Sequence, residues 1–269
     1  LRYYLKKKRY YFNYEDLIKF NKENPKIPIL VRVNDTDAHR KSDFIDKQFI
    51  KLFKISSLNI FVSKWVKHYF KNKAKIGKNL IIENIPNEKI FNLKQKKIWK
   101  KNEPFKIITH HWSNNIQKGY DRYFFLDKIL LKHKKENIEF ELVGNYPENI
   151  KWRTTKLSKP LGSYKLANKL KSSHCYITGS RYEAGALHIL EALKCGLPTI
   201  YFNDGGTINN VINTKYGIKT NTKNLFKNIL IMKKNYFNFF RNIKKKVYKK
   251  HIEMTEQYYS EIMKQLNRI

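Results

Sequence analysis

The sequence predicts an α/β protein built on parallel sheets, and three observations carry that prediction. Strand-length apolar runs alternate with helix-length amphipathic stretches along most of the chain. Runs such as PILVRV, FKIIT, CYI and TIYF are short and almost continuously apolar, as strands buried on both faces are. One stretch, Cys175 to Gly206, reads without ambiguity as strand, loop, helix and strand.

Residues 1–25 are rich in lysine and tyrosine, with a helix expected from Tyr14 to Asn21. Pro28–Val33 reads as a buried strand, NDTDAHRKSD as a polar loop, and Phe44–Lys54 as a helix. A strand at Asn59–Ser63, a helix at Lys64–Lys71 and a strand at Leu80–Glu83 follow, before Ile85-Pro86-Asn87 turns the chain. Three strands are few for a free-standing domain, so residues 1–90 read as an incomplete first domain. Residues 91–103 are charged and read as a linker.

The second domain is expected over residues 104–235. It starts with the strand Phe105–Thr109, the loop HHWSNNIQKG and a helix from Tyr120 to His133. Next come a strand at Glu139–Val143 ended by Gly144, weak strand character near Trp152–Lys156, and a helix at Ser163–Ser173. Beyond Gly206 the pattern gives a helix at Thr207–Asn213, a strand at Gly217–Lys219 and a helix at Lys223–Lys233. Residues 236–269 are helical and basic.

The central stretch carries the chemistry. After Cys175-Tyr176-Ile177 a polar loop, Gly179–Tyr182, ends at Glu183. Ala184, Gly185 and Ala186 are expected to open a helix whose apolar positions Ala186, Ile189, Leu190 and Leu193 recur at helical spacing. Gly196 and Pro198 stop it, and the strand Thr199–Phe202 leads to Gly205-Gly206. A helix start offers unpaired N–H groups to a phosphate, and small side chains let a ligand approach the backbone. Glu191 lies about two turns inside on an apolar helix, where a carboxylate needs a partner such as a sugar hydroxyl pair. An ordinary βαβ element with a solvated Glu191 fits the pattern equally well.

Composition narrows the classes. The formal charge of +34 suggests nucleic acid or an anionic membrane, yet lysines are spread along the whole chain. Lys, Asn, Ile, Tyr and Phe are abundant together, a compositional bias that weakens charge as a signal, and nucleic-acid binding is not expected. Cys175 and Cys195 sit in apolar surroundings and read as reduced core thiols of a cytoplasmic protein. No apolar run reaches membrane-spanning length. The chain opens at Leu1, which fits a partial or processed sequence.

Two glutamates with seven residues between them, then EALKCGLP and GG, resemble the donor-site motif of retaining GT-B glycosyltransferases, the large glycosyl transferases group 1 family. The resemblance implies a GT-B-like fold of two Rossmann-like domains, the first shortened here at its N-terminal side. VRVNDTDAHRKSD, FVSKWVKHYF and the IPN turn resemble the second half of the family's first domain. Carried over, Glu183 lies near the donor sugar and Glu191 binds the nucleotide ribose. The implied reaction moves a sugar from a nucleotide-sugar to a glycan or lipid-linked acceptor with retention, needing no metal and no cofactor. The family's C-terminal helix crosses back onto the first domain, an expectation extended to residues 236–269.

Members of the family carry Gly-Arg and then Lys-Gly after the first strand of the donor domain. Lys118-Gly119 matches the second pair, while Trp112-Ser113 stands in place of the first. A serine cannot replace an arginine's bidentate phosphate contact, so a degenerate, binding-only homologue is the alternative reading. The donor site expected on these grounds comprises Ser113, Lys118, Glu183, Ala184, Gly185, Ala186, Leu187, Glu191, Gly205 and Gly206, with Lys118 and Glu183 catalytic. Asn209 and Asn210 stand where the family usually has a glutamate. His110 and His111 lack a third metal ligand at zinc spacing and read as strand-end packing, and His188 as packed or solvated. The basic aromatic stretches Lys6–Phe12 and Ile243–Lys250 could touch an anionic membrane peripherally, though a solvated lysine-rich surface fits them better.

Overall fold

The structure, a computed structural model, describes residues 3–5, 8–10, 14–246 and 251–267. The chain divides into two compact units, residues 1–83 with 252–269 and residues 84–251. Both basic aromatic stretches fall partly outside the described residues.

In the first unit β1 (Tyr3–Leu5) and β2 (Lys8–Tyr10) pair antiparallel, and α1 spans Tyr14–Glu23. The strands β3 (Leu30–Val33), β4 (Leu58–Phe61) and β5 (Asn79–Ile81) form a three-stranded parallel sheet in that order. Between β3 and β4 lie α2 (Asp37–Arg40) and α3 (Ile45–Phe53), and α4 (Lys64–Lys71) joins β4 to β5. The helix α2 interrupts the stretch expected as polar loop because Thr36 caps it, its hydroxyl accepting from the His39 N–H at 3.1 Å. Ser63, expected as the last residue of a strand, is the N-cap of α4 and accepts from the Val66 N–H at 3.2 Å. Alternation along β4 sends Leu58 and Ile60 to one core and Phe61 to another, where it meets Phe53 and Phe70.

The second unit holds a six-stranded, all-parallel sheet. Its elements are β6 (Phe105–His111), α5 (Tyr120–Lys132), β7 (Ile138–Gly144), β8 (Lys156–Ser158), α6 (Ser163–Lys171) and β9 (Cys175–Thr178). They continue with α7 (Leu187–Lys194), β10 (Thr199–Phe202), α8 (Ile208–Val211), β11 (Gly217–Thr220), α9 (Leu225–Lys234) and α10 (Tyr236–Lys245). Spatial order is β11-β10-β9-β6-β7-β8. Period-two alternation divides each central strand between two cores: Ile107, Cys175, Ile177, Ile200 and Phe202 face one, Ile108, Tyr176 and Tyr201 the other. Covering both faces is why these strands are apolar throughout. The weak strand expected near Trp152–Lys156 begins only at Lys156. Asp127 explains the delay: its carboxylate accepts from the N–H groups of Arg153, Thr154 and Thr155 at 2.9, 2.9 and 2.7 Å, holding them as a loop.

The last helix, α11 (His251–Leu266), belongs from residue 252 onward to the first unit, where Met254 and Tyr258 pack against Leu58, Ile60 and Ile82. Residues 91–103 contain no helix or strand, but Phe91 and Trp99 are buried in the two cores of the second unit. The expected linker is therefore anchored to that unit at Phe91 and Trp99, with most of the residues between them exposed.

Lys96 in this segment is half-buried and donates to the Ser173 carbonyl, and loss of solvent around its ammonium pushes it down to about 7. The unfolded chain keeps this proton up to the usual lysine range, so from pH 7 upward it binds more protons than the fold and stability rises with pH. Above pH 9 the effect reverses, because burial raises both cysteine thiols and the fold then resists losing their protons. Between pH 7 and 8.5 the unfolding free energy is expected to rise by about 1 kcal/mol per unit at most. Urea titrations at fixed pH check this, and Lys96→Met should flatten the slope.

Candidate functional site

Three segments meet at the carboxyl ends of β6, β9 and β10, where open parallel sheets bind ligands. The first, after β6, carries Lys118. Asn115 caps a single 3₁₀ turn, Ile116–Lys118, by accepting from the Gln117 N–H at 2.8 Å. Gly119 ends that turn at φ +79° and lies so close to Gly179 that a Cβ would fall under 3.0 Å from its carbonyl. A side chain is excluded there, and this contact locks the Lys118 loop to the loop after β9.

The loop after β9 carries Glu183. Tyr182 and Ala186 adopt left-handed φ values of 51° and 40°, a conformation costing a non-glycine residue roughly 1–2 kcal/mol. The turn after β10 holds the Tyr182–Glu183 part of this loop. The Tyr182 N–H donates to the Asp204 carbonyl at 3.3 Å, and the Thr207 N–H to the Glu183 carbonyl at 2.8 Å. Gly205 and Gly206 have φ +86° and +77°, and a Cβ on Gly206 would collide with the Glu183 backbone. These glycines thus support the Glu183 loop from beneath.

The two loops converge on one ion pair: Lys118 Nζ lies 2.6 Å from Glu183 Oε1, with side chains 13% and 6% exposed. His188 Nδ1 stands 3.9 Å from the same oxygen, and its Nε2 is 3.2 Å from Thr178 Oγ1. Glu191 bonds through Oε2 to His110 Nε2 at 2.8 Å. His111 bonds to the Tyr123 hydroxyl at 2.8 Å, and burial, aided by His188, Lys118 and His110, keeps its imidazole neutral well below the ordinary histidine range. Tyr123 is pushed up to about 12 by burial and accepts the Gly179 N–H at 2.7 Å.

The expected helix start is displaced. The helix α7 begins at Leu187, so Ala184, Gly185 and Ala186 form the turn before it, and Glu191 is one turn in rather than two. The Ala184 and Ala186 side chains are buried, so their smallness serves packing, while Gly185 and Leu187 reach the surface. Ser113 lies elsewhere, in the wall of a cavity of about 780 Å³ shared with Trp112, Asn145, Tyr146 and Lys159. Its carbonyl accepts from the Tyr120 hydroxyl at 2.7 Å, and Asn145 donates to the Trp112 carbonyl at 2.6 Å, fixing the loop. Trp112 itself is 69% exposed.

Residues 91–250 match the model of the family described as glycosyl transferases group 1, which is more than half of the chain. The chain belongs to that family. Among solved structures it is similar to sucrose-phosphate synthase from Thermosynechococcus elongatus, at 14% identity and a TM-score of 0.72, over 95% of this chain and 72% of that one. It also resembles the pneumococcal O-GlcNAc transferase GtfA, solved with UDP and GlcNAc, at 15% identity and TM-score 0.68, covering 92% of this chain and 55% of that one. TarM of S. aureus aligns at 17% identity and TM-score 0.69, again over 92% of this chain but 53% of its own length. These likenesses place the fold as GT-B. The chain thus spans 72% of the first of these structures and little more than half of the other two. No curated protein matches it in sequence at a significant level.

Sequence reasoning missed three participants. His110, read as strand-end packing, is the direct partner of Glu191; the apolar helix around Glu191 was the signal that some partner had to exist. His188 was read as packed or solvated and stands beside Glu183. Arg122 binds the Gly179 carbonyl at 2.9 Å, pairs with Asp204 and stacks over Phe202 at 4.1 Å. It ties the Lys118, Glu183 and glycine turns together. Among the described residues no group of three or more His, Cys, Asp or Glu side chains is placed to hold a metal ion, and no helix is long and apolar enough to cross a membrane.

Proposed function

We propose that this chain carries the donor site of a glycosyltransferase that moves a sugar from a nucleoside-diphosphate sugar to a hydroxyl of a glycan or lipid-linked acceptor, with retention. The observation that supports it most is the Lys118–Glu183 pair, a lysine and a carboxylate 65 positions apart brought to 2.6 Å on two interlocked loops. In this reading the donor diphosphate takes over Lys118, whose ammonium offsets the charge that grows on the leaving phosphate as the glycosidic bond breaks. Glu183, released from the lysine, turns to the sugar hydroxyls. Lysine and backbone N–H groups near Leu187 then supply the positive charge, so no divalent ion is needed. Glu191 takes the ribose hydroxyls. UDP-sugars are the first donors to test, because GtfA and TarM were both solved with UDP.

Ser113 in place of arginine favours the second reading, a homologue that binds nucleotide without turnover. A thermal-shift panel of UDP, GDP, ADP and their sugar conjugates separates the possibilities, run with an assay for nucleotide release. The expected result is stabilisation by one nucleotide class that Glu191→Ala loses, accompanied by slow donor hydrolysis. Stabilisation without release would favour the binding-only reading, and no shift with any nucleotide would end the donor-site assignment.

A further inference from the structure

His110 is the penultimate residue of β6, and its ring is enclosed. Tyr176 stands edge-on at 5.5 Å and His188 at 6.2 Å between ring centres, and the His110 backbone N–H donates to the Tyr176 hydroxyl at 3.3 Å. The two partners of the 2.8 Å bond, His110 and Glu191, have side chains 5% and 15% exposed. On the far side of the ring, His110 Nδ1 is buried and has no hydrogen-bond partner among the described residues. A carboxylate can only accept, so the ring donates its Nε2–H to Glu191, and Nδ1 is the ring nitrogen left over. A buried polar nitrogen without a partner costs the fold stability, and a hydrophobic residue at position 110 would avoid that cost.

We infer that His110 is the positioning residue for Glu191, holding one carboxylate oxygen so that the other faces the donor's ribose. This rests on Glu191 being the ribose ligand. A glutamate has three rotatable bonds, and on an apolar helix nothing else named in its surroundings selects one orientation. The histidine selects it before the nucleotide arrives, so binding does not have to bear that ordering. Because Oε2 is engaged, Oε1 keeps both lone pairs for ribose hydroxyls, and the histidine bond persists in the complex.

The test compares UDP, GDP or ADP, whichever stabilises the wild-type protein most, with its 2′,3′-dideoxy counterpart by calorimetry. Wild type should prefer the ribonucleotide at least tenfold. His110→Phe keeps a ring without a donor, and the preference should collapse toward one while dideoxynucleotide affinity changes less than twofold. His110→Gln carries an amide N–H to nearly the same place and should restore most of the preference. Should the phenylalanine variant not fold, His110→Asn replaces it, since its shorter amide does not reach Glu191.

Equal weakening of both nucleotides, or an unchanged preference in the phenylalanine variant or its asparagine replacement, would overturn the positioning role and leave Glu191 as the ribose ligand. A wild-type protein with no preference would instead remove the ribose assignment itself, and His110's role with it. Failure of all three nucleotides to bind would remove the donor site altogether.

Discussion

Lys118→Met is expected to lower turnover by about 10²–10³, the usual loss when one preorganised charge at a developing anion is removed. The same substitution should also destabilise the fold. The Glu183 side chain is 6% exposed and pairs with Lys118 at 2.6 Å. Removing one member of a buried pair typically costs about 3–5 kcal/mol. The lower end applies, because His188 stands 3.9 Å from the same oxygen and Glu183 keeps further interactions. A loss of about 3 kcal/mol corresponds to roughly 6–12 °C in Tm for a unit of this size. Lys118→Met/Glu183→Gln should recover most of that stability and none of the turnover, since the second change removes the stranded charge but not the need for a cation. Calorimetry and donor-hydrolysis rates on the two variants check both halves. Unchanged turnover in Lys118→Met would detach the lysine from the leaving group.

Gly119→Ala should be nearly as damaging, though its added methyl carries no charge. At φ +79° an alanine already costs roughly 1–2 kcal/mol. The larger effect is steric: the new Cβ would fall under 3.0 Å from the Gly179 carbonyl, carbon and Cα, all main-chain atoms that cannot swing aside. Relief requires parting the Lys118 loop from the loop after β9. That would strain the Arg122 and Tyr123 bonds to Gly179, at 2.9 and 2.7 Å. The total should reach about 3 kcal/mol or more, in the range reserved for strained special positions. Gly77→Ala is the control, because at φ +55° it has nothing within 4 Å of the added methyl. It should cost only the conformational part, about 1–2 kcal/mol. Denaturant midpoints for the two alanine variants would measure the difference directly, and equal costs would mean the interlock is soft.

The fold was readable where local rules act alone. The run TIYF and the pattern of α4 were recoverable almost to the residue, because buried strands and amphipathic helices announce themselves by period. What failed was set by side chains that bond to distant backbone. Nothing in the sequence around Arg153–Thr155 announces that Asp127, a residue on α5, holds those N–H groups and delays β8. The start of α7 was misplaced because the turn after β10 bonds Tyr182 and Glu183 as a loop and Ala186 itself is left-handed, so the helix opens only at Leu187. The same division runs through the site. Glu183, Glu191 and Lys118 were visible as spaced residue types, whereas pairing Lys118 with Glu183 and His110 with Glu191 needed the sheet order, which brings β6 beside β9.

That order has a consequence for the growing chain. β6 lies between β7 and β9, yet β7 follows it closely while β9 starts only at Cys175. At about 5–20 residues per second, roughly 65 further residues take several seconds to a quarter of a minute to emerge. Through that interval one edge of β6, with Ile107 and Ile108 on its two faces, has no strand beside it. An open apolar edge is a template for pairing with a neighbouring chain. The ribosome-bound intermediate is thus open to pairing along that edge, and the residues that close the edge are the same ones that bring Glu183 to Lys118.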